Sequence, residues 1–185
     1  MHESPAWPFS EPAGGAGAAI EADETYVGGK AHNRAYDPIP PKQSVMSLVE
    51  RGGRVRSFQV PNVTASILYP IIVRHAHRDS RFMTDESNVY DHVGRAYSEH
   101  LTVNHSQKEY VRDQAYTNTV EGFFSILKRG FYGCYFHVSE AHLHRYLAEF
   151  DFRYSNRSKV GIEDAARADL ALVGAKGKAA HLSNS

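Results

Sequence analysis

AIEADETYVGG, residues 19–29, reads as a strand that carries Asp23 and runs into a Gly28-Gly29 turn. Two further acidic residues lie downstream in motifs of their own. Asp85 closes SRFMTD, residues 80–85, a short apolar stretch that reads as a buried strand. Glu121 lies in YTNTVEGFFSILKRG, residues 116–130, with thirty-five residues between it and Asp85 and with Lys128 seven residues further on. One carboxylate on each of two strands and a third on a helix is a way to hold two divalent metals. Such ions, roughly 3.5–4 Å apart, clamp the attacking and leaving oxygens of a phosphodiester.

The helix is read from its period. Val120, Phe123, Phe124, Leu127 and Phe131 form one apolar stripe on a helix starting near Thr117. At 100° per residue, Asn118, Glu121, Ser125 and Lys128 share the adjacent face. A second helix, capped by Ser139, carries Leu143, Tyr146, Leu147, Phe150 and Tyr154, with Arg145, Glu149 and Arg153 as an i,i+4 ladder.

Between these elements, HNRAYDPIPPKQ (residues 32–43) is a proline-rich loop, excluded from a sheet interior. SVMSLVE and RVRSFQV flank Arg51-Gly52-Gly53 and read as a hairpin. Thr64 opens a helix through ASILYPIIVRHAH, in which Pro70 is expected to kink or shorten the run. A helical stretch around Ser87–Val93 and a strand near HLTVNH complete the pattern. The order of elements predicts an α/β fold, a mixed sheet flanked by helices, as in ribonuclease H-like proteins. The expected organisation is a disordered leader at 1–18, a catalytic domain at 19–168 and a flexible tail at 169–185.

Bulk properties narrow the class. At 185 residues, 42% hydrophobic and 23% charged, the chain is long enough for one buried core. No apolar run reaches the ~20 residues of a membrane span, and no secretory signal pattern is present. Cys134 is the one cysteine, which excludes an internal disulfide and favours a cytoplasmic setting. No GxGxxG or Walker pattern occurs, so no nucleotide cofactor is expected. A formal net charge of +0 with 11 histidines lacks the basic footprint of a protein whose main role is DNA affinity.

DETYVGGK, TDES with Tyr90, VNHSQKEYVR, TNTVEGFFSILKRG and HVSEAHLHRYLAEFDFRY resemble a DDE-type insertion-sequence transposase of the ISXO-type group, over roughly Glu21 to Ala168. The resemblance implies that Asp23, Asp85 and Glu121 are the catalytic, metal-binding triad, for Mg²⁺ or Mn²⁺ in a two-metal site, and that Lys128 is the associated basic residue. It implies cleavage at transposon ends and joining of the freed 3′-hydroxyl to target DNA. It also implies a homodimer or higher assembly on DNA, nucleoid-associated when bound. Arg129, His105, Arg112 and Asn118 are the further candidates for DNA contact. The family tends to show His-Thr-Asn where this chain has Tyr116-Thr117-Asn118, and Arg-Tyr-Asn where it has Arg153-Tyr154-Ser155. Its usual N-terminal zinc ribbon or helix-turn-helix is not matched, so a truncated copy lacking end recognition is expected.

Each residue also has a plain reading. Strand-end aspartates form turns, a glutamate near a helix N-terminus is favoured by the dipole, and lysines and arginines are surface residues by default. Glu24 and Glu86 are read as neighbours of the key aspartates, and Asn118 as a metal-shell residue or a helix cap. His137, His142 and His144 lack the four-residue spacing of helical zinc ligands. Two other functions stay open: a non-catalytic remnant that binds DNA or partners weakly, and a structure-selective nuclease on the same fold.

Overall fold

The computed structural model describes residues 11–29, 41–103, 117–135 and 138–172. Five strands form one mixed sheet: β1 (Ala19–Val27), β2 (Gln43–Glu50), β3 (Val55–Val60), β4 (Arg81–Asp85) and β5 (Glu99–Val103), in the order β3-β2-β1-β4-β5. The hairpin read at Arg51-Gly52-Gly53 joins antiparallel β2 and β3, with Gly52 at φ +72°. β4 runs parallel to β1, which requires a crossover. Helix α1 (Ala65–His75) supplies it, and the helix continues past Pro70 to His75. A 3₁₀ turn (Asn88–Tyr90) and the short α2 (Asp91–Gly94) lead to β5.

Strand alternation divides the core in two. Ile20, Ala22, Met46, Leu48, Val60 and Phe82 face α1, where Leu68 and Ile72 are buried. Val27, Val45, Val49 and Val55 face α3 (Asn118–Gly133) and α4 (Leu143–Ser155). All five residues of the predicted α3 stripe are buried. Fully buried Phe123 and Leu127 each contribute roughly 1.5–3 kcal/mol against exposure. This is the mixed sheet flanked by helices that the ribonuclease H-like reading requires.

Two boundaries differ from expectation. Within the segment expected to be a leader, residues 11–18 are tied to the domain. Ala13 is buried and exchanges backbone hydrogen bonds with His75 and His77, each at 2.8 Å. A Cβ on Gly14, at φ +86°, would fall 2.3 Å from Ser80 Oγ, so this glycine serves close packing. Arg56 Nη2 also donates to Glu11 O at 2.8 Å. At the other boundary, residues 164–172 are helical. Ser139 caps a 3₁₀ turn (Glu140–His142) that precedes α4, and it does so without a side-chain hydrogen bond. Of the expected ladder, Arg153 pairs with Glu149 at 2.7 Å, and Glu149 also accepts from Tyr135 Oη at 3.1 Å.

β3 is an edge strand, and its outward N–H groups are a hazard unless covered. Here α4 covers them. Val55 N donates to Ser155 Oγ at 3.0 Å, and Ser57 N donates to Asp151 Oδ2 at 2.7 Å. Two residues along a strand span about 6.7 Å and four along a helix about 6 Å, so the two sets match. Ser57 Oγ also donates to Asp151 Oδ1 at 2.7 Å. Burial of the Asp151 carboxyl raises it to about 7, against the opposing hydrogen bonds from Ser57 and the nearby Arg56 charge. Above pH 7 the folded state therefore holds a costly buried anion. Asp151→Ala should lose about 1–3 kcal/mol in denaturant unfolding, because Ser57 N–H loses its acceptor. Asp151→Asn keeps an acceptor and should be at least as stable as the wild type at pH 8.

Candidate catalytic carboxylate site

Glu21 and Asp23 lie two residues apart on β1 and so share the sheet face turned toward α3. The parallel register of β1 with β4 runs Ala19↔Arg81, Ile20↔Phe82 and Glu21↔Met83. Carried two residues further, it sets Asp23 level with Asp85, where β4 stops. Glu121 comes from the first turn of α3. Three separate elements thus bring the expected triad to one region, and Asp23 feels the charges of both Asp85 and Glu121.

Local hydrogen bonds orient each carboxylate. Asp23 Oδ1 accepts from Glu24 N at 2.7 Å, and Asp85 Oδ1 accepts from Ser87 N at 3.1 Å. Glu121 Oε1 accepts from Thr117 Oγ1 at 3.0 Å. Thr84, buried beside Asp85, donates through Oγ1 to the Asp85 carbonyl at 2.8 Å and lies 3.0 Å from His100 Nε2.

Burial is the largest force on the Asp23 carboxyl, and it raises the pKa to about 7. The Glu24 N–H opposes the rise, and the charges of Glu24, Asp85 and Glu121 add to it. Glu24 belongs to this cluster. Its carboxyl is also raised, first by burial and then by Asp85, while the hydrogen bond from Tyr90 lowers it. Tyr90 is fully buried and donates Oη to Glu24 Oε2 at 2.5 Å.

The remaining candidates are spread along α3. Lys128 is half-buried two turns from Glu121, about 10 Å along the axis. Arg129 is exposed and donates Nε to Ser125 O at 3.3 Å. Asn118 is exposed at the first position of the helix. The cap is not Asn118: Thr117 is the N-cap residue, and the side-chain acceptor is Glu21, 0% exposed. His105, Arg112 and His137 lie outside the described residues.

Glu21, Tyr90 and Glu24 are the residues that sequence reasoning undervalued. A charged residue two positions before Asp23 on a half-buried strand was the available signal, because a buried charge demands partners.

Three carboxyl groups of hard oxygen donors, one with its proton affinity raised by the others, suit a divalent Mg²⁺ or Mn²⁺ ion. Among the described residues, no three His, Cys, Asp or Glu side chains are grouped as a ready-made metal cage. The fit is one of donor chemistry.

The sheet order, the flanking helices and the convergent carboxylates define a ribonuclease H-like α/β protein of the DDE kind. The family model described as the ISXO2-like transposase domain matches residues 14–155, and the chain belongs to that family. The match starts before Glu21 and ends at residue 155, short of the Ala168 expected from the motifs. A search of curated proteins found no match.

The raised Asp23 carboxyl has a measurable consequence. Its native pKa of about 7 exceeds the ordinary value of 3.8, so the native state binds the proton more tightly. Stability is then lost as pH rises from about 4 to 7 and is level above. Asp23→Asn should gain on the wild type across that window, by on the order of 3 kcal/mol at pH 8 without metal. Unfolding curves of the two proteins at pH 4, 6 and 8 check this.

Proposed function

We propose that this transposase-family chain cuts DNA and joins a 3′-hydroxyl to a second DNA site, using divalent metal held by Asp23, Asp85 and Glu121. The observation that carries the reading is the origin of Asp23, Asp85 and Glu121 on β1, at the end of the neighbouring β4 and in the first turn of α3, elements remote in sequence. Like charges so placed raise the cost of the metal-free state and favour an added cation. When bound, two Mg²⁺ or Mn²⁺ ions supply activation of the attacking hydroxyl and stabilisation of the departing 3′-oxygen.

The chain's own part is to position and orient. Asp23 and Asp85 stand on adjacent strands, two residues beyond the last recorded β1–β4 pair, Glu21↔Met83. Glu121 is held toward them from the helix start, oriented by Thr117. Lys128 offers a point charge to a phosphate two turns along the same face, with Arg129 next to it and Asn118 at the helix start. Assembly of two or more copies on DNA belongs to the same reading. Among the described residues no helix is long and apolar enough to cross a membrane.

A non-catalytic DNA- or partner-binding role is the competing reading, and the lack of a ready-made cage among the described residues favours it. Mn²⁺ titration by calorimetry, alone and with a short duplex, separates the two. Binding should appear in the wild type and vanish in Asp85→Asn, while the unfolding midpoint stays near that of the wild type. In the same variant, nicking and strand transfer with candidate element ends should be abolished. Cleavage retained by Asp85→Asn would sink the catalytic assignment.

A further inference from the structure

Glu21 is a carboxylate with no exposed surface, third of the nine residues of the central strand and paired on both sides. Burying such a charge costs several kcal/mol unless its oxygens are fully engaged. Both are. Oε1 accepts from Arg51 Nε at 2.6 Å and from Thr119 Oγ1 at 2.8 Å. Oε2 accepts from Thr119 N at 2.8 Å and from Val120 N at 3.0 Å. Those two N–H groups occupy the second and third positions of α3, the ones an N-cap side chain ordinarily satisfies.

The N-cap residue itself, Thr117, makes no side-chain cap bond, and its hydroxyl donates instead to Glu121 Oε1. The two jobs of a helix start are therefore divided. Glu21 caps the helix from across the sheet face, and Thr117 is released to hold the helix carboxylate. Because Glu21 sits one strand repeat from Asp23, about 6.7 Å, the clamp also fixes the first turn of α3 beside Asp23.

We infer that Glu21 is a positioning residue for the metal site: it sets Glu121 against Asp23 and Asp85 by capping α3 and freeing Thr117. This rests on the proposed metal role of those three residues. Without the Glu21 carboxylate, the Thr117 oxygen is the nearest replacement cap, and recruiting it would take the donor away from Glu121.

The test pairs Mn²⁺ titration of the full chain with amide hydrogen exchange by NMR, in Glu21→Gln, Glu121→Gln, the double variant and Thr117→Val. Glu21→Gln should weaken Mn²⁺ binding at least about tenfold, the usual loss for a residue that orients a ligand. It should also speed exchange at Thr119 and Val120 while the sheet amides keep their protection. The double variant should bind no more weakly than Glu121→Gln alone, an outcome that general destabilisation would not give. Thr117→Val keeps the clamp, so it should retain slow exchange at Thr119 and Val120 yet lose Mn²⁺ affinity. It carries the test if Glu21→Gln does not fold.

Wild-type Mn²⁺ affinity in Glu21→Gln, or additive losses in the double variant, would overturn the inference and leave the metal site standing. Absence of Asp85-dependent Mn²⁺ binding in the wild type, with and without duplex, would overturn the metal reading and this role with it. The exchange rates would then report separately whether Glu21 clamps the helix.

Discussion

The junction between β1 and α3 depends on one buried carboxylate. Glu21 joins a strand, the β2–β3 hairpin through Arg51, and the start of a helix through two backbone N–H groups. Apolar packing alone lets a helix slide or roll on a sheet, because dispersion contacts are individually weak and non-directional. Three directed hydrogen bonds from Thr119 and Val120 to Glu21 remove that freedom, and Arg51 holds the carboxylate itself. The apolar stripe of α3 then decides which side faces inward, and the Glu21 junction decides where along the sheet the helix begins.

Asp23 sits under opposing demands. The sheet buries it, the adjacent carboxylates repel it, and the local Glu24 N–H stabilises its charge. Buried Tyr90 plays a parallel part for Glu24, giving one more charge a fixed donor. Crowding of this kind disfavours the folded chain on its own.

The sequence made the repeating features legible. The period of Val120, Phe123, Phe124, Leu127 and Phe131 needs no knowledge of the partner surface, and all five are buried. Asp23, Asp85 and Glu121 stood out through their motifs, and strand pairing with helix placement brings them to one region. What stayed hidden was contact across long separations. Glu21 meets Thr119 and Val120 across 98 and 99 residues, and Asp151 meets Ser57 across 94. Composition also misled at residues 11–18. Gly14 reads as flexibility in a Gly/Ala run, yet its missing side chain makes room for Ser80 and Ile20. Ser155 Oγ accepts from Val55 N–H, which only the three-dimensional placement of α4 reveals.

The cover that α4 gives β3 also has a timetable. β3 is complete at Val60, whereas the helix that satisfies its outer N–H groups ends at Ser155. Ribosomes add about 5–20 residues per second, so the nascent strand waits roughly 5–20 s for its cover. Throughout that interval the outer N–H groups of Val55 and Ser57 lack the acceptors that α4 supplies.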